Sequence, residues 1–324
     1  MTIYLVILVF LPLLLLIFSS SSQEVLVKIL LIAICAFYIF YHIDSGPDHS
    51  LYKWIYETAP ADVKYEPIYQ AVTYIAKFFG LDYIGFLILL RTLNVFVLAV
   101  AIFKLDRYKL IFFFCLYVPI SFVTFELNLL RQGLAVHFGL LAAVSLSDNK
   151  KLKSYVYFGM AILSHFSSLL MGALYIKRIN RNMVYIGIVL AIVLFFNMPY
   201  LVKKLHDYQE IGAINLRFDA SLIQTLLLIF LPFIIFKMDD AVFPKFVYVA
   251  LCLLAVLPVM VRLYPIGLLV LLPLIQYPKT RTPRFLLICF ILLSLILTVG
   301  KTMLLLQADS QSIKEGVYSR GYQG

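Results

Sequence analysis

Long apolar runs recur from one end of the chain to the other, each closed by a short polar cluster. The runs are continuous and do not alternate. That excludes a β-barrel and predicts helices that cross a bilayer. Spans are predicted over 3–18, 25–41, 83–103, 110–125, 128–147, 183–199, 221–236, 246–260, 266–276 and 285–306. The first run lacks a basic leader and a small-residue cleavage site, so it reads as a span and not as a cleaved signal. The longest polar interruption is 42–82, and within it 48–58 and 66–80 have the pattern of two short amphipathic helices lying at the interface, bounded by Pro60 and Pro67.

One stretch resists a simple crossing. Residues 155–176 are long enough to span once, but a single span would put Lys177, Arg178 and Arg181 outside. It would also invert every later loop, including the basic run Lys279, Arg281 and Arg284. Cytoplasmic loops are the basic ones. The preferred reading is therefore a re-entrant pair, 155–164 and 167–176, turning at Ser164-His165-Phe166-Ser167-Ser168. Irregular backbone at membrane depth needs protein or a watery cavity around it, and the hydroxyls and imidazole here suit such a turn. The expected architecture is all-α and polytopic: ten crossings plus one re-entrant pair, both termini outside, and two juxtamembrane helices in the first outer loop. It is a single integral membrane unit, with a second outer loop at 200–220, a polar tail at 307–324 and no internal repeat.

Composition agrees. The chain has 324 residues, 63% of them hydrophobic and only 14% charged. No soluble domain of this length reads that way. The formal net charge of +10 suggests nucleic acid only until the basic residues are placed; most sit in short inter-span loops. The four cysteines lie inside apolar runs and are not spaced as a metal site or a disulfide. No P-loop, HExxH, EF-hand or nucleophile elbow occurs, which argues against ATP hydrolysis.

Polar residues at depth are expensive and mark function by default. Residues 126–168 hold Asn128, Arg131, Gln132, His137 and His165 in otherwise apolar sequence. Under the expected topology one outer face collects Asp44, Asp48, Tyr52 and Glu66 of the first outer loop. It also collects Arg131 and Gln132 at the start of a span, His165 at the re-entrant tip, and Arg217, Arg262 and Tyr264 of later outer segments. An arginine opening a helix adds a planar fork to an N-terminus that already favours anions; the bland alternative is that Arg131 snorkels to headgroups. His165 is either a donor to an anion or a turn histidine bonded to Ser167 or Ser168. Asp48, opening a helix after Gly46-Pro47, is favoured over Asp44 as a general base. His137 reads as structural, and Arg91 as paired with a carboxylate such as Glu126 or lining the cavity. Ala135, Gly139 and Ala143 form a small-residue stripe suited to close packing.

The order of these motifs resembles the EpsG family of bacterial membrane proteins. The resemblance rests on Gly46-Pro47-Asp48 followed by Tyr52, on Glu66-Pro67 with Tyr69, and on Asn128 with Arg131-Gln132 and Ala135. The Lys150–Tyr155 loop, then His165-Phe166-Ser167, and more weakly Arg262 with Tyr264, continue it. It spreads over most of residues 40–270. The family more often carries an arginine before the glycine and a tyrosine after the aspartate. Here His42 precedes and His49 follows, which leaves open which acid, Asp44 or Asp48, is the important one.

The resemblance implies a Wzy-type polymerase, a glycosyltransferase of the class that uses polyprenyl-linked sugars, in the bacterial inner membrane with its site facing outward. Donor and acceptor would be undecaprenyl-diphosphate-linked oligosaccharides, and the product an O-antigen, capsule or exopolysaccharide. Asp48 (or Asp44) would serve the acceptor hydroxyl; Arg131, Arg217, Arg262, His165 and Gln132 would serve the diphosphate; Tyr52, Tyr69 and Tyr264 would line the sugar path with Glu66, and Arg91 the cavity. A flippase and a chain-length regulator would be partners, with membrane lipid and without nucleic acid. No cofactor is called for, and whether a divalent cation helps stays open. The rivals are a transporter of a lipid-linked saccharide, whose site belongs at the midplane between related halves, and a membrane acyltransferase with His165 catalytic.

Overall fold

A computed structural model of the chain describes residues 23–43, 49–58, 66–114, 122, 125–126, 129–175, 242–254 and 263–271, and the isolated positions 11, 15, 229, 285, 288–289, 292 and 296. Among the described residues every element is helical. In chain order these are α1 (Glu24–Tyr41), α2 (His49–Thr58), α3 (Pro67–Phe78), α4 (Tyr83–Lys104), α5 (Arg107–Phe112), α6 (Leu130–Ser147), α7 (Lys151–Ser164), a 3₁₀ helix (Phe166–Tyr175), α8 (Val242–Leu254) and α9 (Tyr264–Leu271). Three of them, α1, α4 and α6, are long and apolar enough to cross a membrane by length and composition. The spans predicted at 3–18, 183–199 and 221–236, and the 307–324 tail, lie outside the described residues.

The helix ends follow local chemistry. Asp82 caps α4 by accepting from the Gly85 amide at 2.8 Å, and Asp106 caps α5 by accepting from Lys109 at 2.9 Å. Gly80, at φ 65°, ends α3 in the left-handed region; there the Leu81 amide reaches back to the Ala76 carbonyl at 2.9 Å. Asn149, at φ 59°, ends α6 in the same way.

α1 and α4 run antiparallel. At one end Lys28 donates to the Phe103 carbonyl at 3.3 Å; at the other, Arg91 reaches the carbonyls of His42 and Ile43 at 3.3 and 3.1 Å. α6 is the central helix, buried nearly all round, as a helix apolar on every face must be. It packs on α4, α7, α9 and the 3₁₀ helix, while α3 lies across α4 and α7.

α7 and the 3₁₀ helix form a hairpin. The chain leaves along α7, turns at His165 and returns, so that Tyr175 meets the first turn of α7. Ser154 and Tyr175 share a hydroxyl–hydroxyl bond of 2.6 Å, Tyr175 also donates to the Ser154 carbonyl at 3.1 Å, and its ring stacks on Tyr155. The return arm is ten residues of 3₁₀ helix, which extend about 20 Å.

The small-residue stripe is the seam that seats this hairpin. Ala135, Gly139 and Ala143 are all buried. A Cβ placed on Gly139 would fall inside the Met171 thioether and 3.7 Å from Leu269, so the glycine lets the return arm and α9 come close. Gly139→Leu is therefore expected to lower stability by roughly 1–3 kcal/mol, read as an earlier melt of the purified protein in detergent. Gly159→Ala, where an added Cβ meets nothing within 4 Å, is the control and should not melt earlier. If both variants melted like the parent, the stripe would not be a packing seam.

Candidate functional site

Glu66 is held at a fixed place by its neighbour. The residue before a proline is driven to extended backbone, and proline is well suited to the first helical position. Glu66 accordingly has φ −61° and ψ 142°, with Pro67 opening α3. Its side chain does not cap the helix. It turns instead to the start of α6, where Arg131 donates to Oε2 at 2.6 Å. The other carboxylate oxygen, Oε1, lies 3.6 Å from Nε2 of His165 at the hairpin turn. Three separate elements thus meet on one carboxylate. The Glu66 side chain is only 9% exposed, against 26% for Arg131 and 27% for His165.

Arg131 is backed by aromatic faces. Its guanidinium carbon lies 5.9 Å from the ring centre of Tyr52 on α2 and 5.6 Å from that of Tyr69 on α3, within cation–π range. The rings are buried, with centroids 6.0 Å apart, so the faces expected to meet sugar already hold a guanidinium. Tyr69 packs edge-on to Phe86, Tyr56 stacks on Phe86 at 4.7 Å, and Tyr56 donates to the Leu81 carbonyl at 2.6 Å. This aromatic layer fixes α2 and α3 against the first turn of α4.

The tautomer of His165 follows from its bonds. The Ser167 amide donates to Nδ1 at 3.2 Å, and the Ser167 hydroxyl lies 2.8 Å from the same nitrogen. An amide donor makes Nδ1 an acceptor, so the proton sits on Nε2, facing Glu66. One nitrogen of His165 closes the turn, and the other faces Glu66. At 3.6 Å the Nε2 contact with Glu66 is too long for a good hydrogen bond and is an electrostatic one.

A second polar cluster lies deeper and is nearly closed to solvent. Glu126 and His137 are 0% exposed, Arg91 2% and Asn94 3%. The carboxylate of Glu126 takes both of its bonds from the Asn94 amide, at 2.6 and 2.7 Å. That fixes Asn94 Oδ1 as an acceptor, so the 2.6 Å contact with His137 Nδ1 needs the proton on Nδ1. Arg91 donates to the Glu126 carbonyl at 2.7 Å and to the two carbonyls that follow α1. Arg91 thus meets Glu126, as expected, and donates to backbone carbonyls while Asn94 bonds the carboxylate. The reason is that a helix C-terminus leaves carbonyls without partners at its negative end, and Arg91 meets them. His137 is structural, as its depth implied.

Of the other residues singled out, Gln132 is buried beside Arg131 and Tyr264 begins α9. Asp44, Asp48, Arg217 and Arg262 lie outside the described residues. No group of three or more metal-ligating side chains occurs among the described residues. What the sequence did not point to is the role of Asn94 as the carboxylate's donor, and Glu66 as the link between Arg131 and His165. The glutamate-proline step before an amphipathic helix was the available signal for Glu66.

A helical membrane protein with a guanidinium and an imidazole of two elements focused on one buried carboxylate is the class that fold and site define. A comparison with protein-family models matches the EpsG family over residues 40–312, and the chain belongs to that family. Membership associates it with polysaccharide-polymerase-like membrane proteins of glycosyltransferase type. Neither curated proteins nor solved structures give a match.

The buried cluster makes a thermodynamic prediction. Removing Glu126 or Asn94 leaves the other without its partner, so Glu126→Ala and Asn94→Ala should each cost roughly 1–3 kcal/mol. The double variant should cost clearly less than their sum, read from unfolding in detergent. Strict additivity would show that the two groups do not act together.

Proposed function

We propose that this protein joins polyprenyl-diphosphate-linked oligosaccharide repeat units into a surface polysaccharide at the outer face of the bacterial inner membrane. The observation that carries the reading is the convergence of Arg131 and His165 on one carboxylate. The Glu66 oxygens stand where anionic oxygens of a diphosphate group would stand. A guanidinium and an Nε2–H donor held by separate rigid elements form an anion site, and α6 adds the positive end of its dipole. In the proposed topology the chain crosses the bilayer ten times. The α7 hairpin enters and returns, which sets His165 and Arg131 on the same outer face.

The chemistry follows from the charge. A sugar linked to undecaprenyl diphosphate carries its own leaving group, so no nucleotide is required. The acceptor hydroxyl attacks the anomeric carbon, the bond to the diphosphate oxygen breaks, and negative charge grows on that oxygen. Pre-placed donors stabilise charge as it develops, usually the largest single contribution to such a step. Arg131 and His165 supply them, with Gln132, Arg217 and Arg262 as further donors on this reading. An acid of the first outer loop takes the hydroxyl proton; Asp44, Asp48 and Glu66 are the candidates. Tyr264 and the face of the first outer loop line the sugar path. A flippase that delivers the lipid-linked unit and a protein that sets chain length are the partners the reaction calls for.

Deleting the gene should collapse the ladder of long-chain surface polysaccharide to single-repeat material on a gel, and a surviving ladder would refute the polymerase reading. Complementation with Arg131→Ala or His165→Ala at equal protein level should not restore long chains. Loss of a positioned charge donor typically costs on the order of 10²–10³ in rate. Full restoration by both variants would show that the anion site lies elsewhere.

A further inference from the structure

Glu66 poses a difficulty for a diphosphate site, because it already occupies the donors that the diphosphate needs. We infer that Glu66 is a resident counter-anion: it fills the site formed by Arg131 and His165 until a diphosphate displaces it, and once displaced it takes the proton of the acceptor hydroxyl. This rests on the polymerase reading above and selects one acid from its three candidates.

Four observations on the page support the exchange. The carboxylate divides its oxygens between donors of two different elements, Oε2 to Arg131 and Oε1 towards His165, as two oxygens of a phosphate do when they bridge cations. Arg131 does not depend on Glu66 for its position, because the rings of Tyr52 and Tyr69 back it. His165 is likewise held from its other nitrogen by Ser167, and its Nε2–H is not drawn into a short bond with Glu66, at 3.6 Å. Finally, Glu66 joins α3 through its backbone alone: its carbonyl accepts from the Gln70 amide at 3.1 Å, while its carboxylate makes no cap bond, so the side chain can swing without unwinding the helix.

The physical logic has two parts. In the resting protein a half-buried guanidinium without a counter-charge is costly, and Glu66 removes that cost. When a diphosphate arrives, the more highly charged and bidentate ligand takes Arg131 and His165. A carboxylate that loses an adjacent cation is a better base. It is also still at the mouth of α3, beside the anomeric centre that the diphosphate brings with it.

In the step itself, the acceptor oxygen bonds to the anomeric carbon as the carbon–oxygen bond to the diphosphate breaks. The electron pair stays on the diphosphate, and the hydroxyl proton passes to Glu66. Undecaprenyl diphosphate leaves, Glu66 releases the proton to water, and the ion pair with Arg131 closes again.

The test uses the purified full-length protein in proteoliposomes, with inorganic pyrophosphate as the binding probe and the native lipid-linked repeat unit as substrate. Glu66→Gln is expected to bind pyrophosphate at least about tenfold more tightly, since a competing ion pair is gone. It should form polymer at least about a hundredfold more slowly, the contribution of a general base. Asp148→Asn, whose carboxylate pairs with Lys150 at the far end of α6, should keep pyrophosphate affinity within about threefold of the parent, and a tenfold gain there would mark a general charge effect and overturn the exchange. Glu66→Gln that binds no more tightly, or that polymerises at the parent rate, overturns the inference and leaves the polymerase reading standing. A parent protein that forms no polymer from its native unit, or a ladder that survives gene deletion, overturns both.

The unaltered protein gives an independent readout that does not depend on a variant folding. Carbodiimide treatment followed by mass spectrometry should show more modification of Glu66 when pyrophosphate is present, because displacement frees the carboxylate. Unchanged or reduced modification would mark the Glu66–Arg131 pair as a permanent strut and overturn the exchange.

Discussion

A charge inside an apolar bundle has to be matched before the bundle can close, and the described part of this protein is arranged around that requirement. Arg91 on α4 meets the carbonyls that follow α1 and the backbone at Glu126; Asn94, one turn on, takes the Glu126 carboxylate and leaves its oxygen to His137 of α6. The four side chains come from α4, α6 and the segment before α6. They therefore fix the relative position of those elements and the end of α1 together. Hydrophobic packing alone is non-directional; here polar bonds with single geometries choose which packed arrangement is kept.

That deep cluster is what gives the Glu66–Arg131–His165 site its precision. Gly133 sits over Glu126, with room so tight that a Cβ would come 3.1 Å from Oε1, and it follows Arg131 by only two residues. The start of α6 is thus pinned from below by the carboxylate cluster and from the side by the aromatic faces of Tyr52 and Tyr69. The hairpin is pinned to α6 itself, by Met171 over Gly139 and by Ser154 donating to the Ala142 carbonyl at 2.7 Å, and is closed by Tyr175 against Ser154. One helix thus carries Arg131 and seats the hairpin that carries His165, which holds the two at one spot.

How much of this was legible in the sequence depends on the range of the interaction. The apolar runs gave helices at 25–41, 83–103 and 128–147, and the structure has Glu24–Tyr41, Tyr83–Lys104 and Leu130–Ser147. A run of apolar residues is a local signal, and so is the glutamate-proline step that opens α3. A fold-back at His165 was expected from charge, through the lysines and arginines further along the chain, and α7 and the 3₁₀ helix do turn back there. Pairings between distant residues were not legible. Nothing near Asn94 says that its amide will bond the Glu126 carboxylate while Arg91 donates to backbone carbonyls, since both side chains lie within one turn of the same helix. The choice is made where the end of α1 offers carbonyls that only the longer, charged side chain can reach. The 3₁₀ winding of Phe166–Tyr175 was also hidden, because nothing local in that apolar run separates it from an α-helix.

The burial of Tyr52 and Tyr69 changes what these tyrosines are for. Tyrosines in an outer loop invite a role in stacking on sugar, but a ring under a guanidinium is committed to that cation. Such support differs from a salt bridge in one respect that matters for catalysis. A salt bridge holds a cation only while its anion stays, whereas an aromatic face holds it whichever anion it carries. On the exchange proposed for Glu66, a cation that trades one anion for another in each turnover needs a hold of the second kind. Tyr52, Tyr69 and the layer behind them at Phe86 provide it, on elements that the deep Arg91 and Glu126 contacts keep in register with α6.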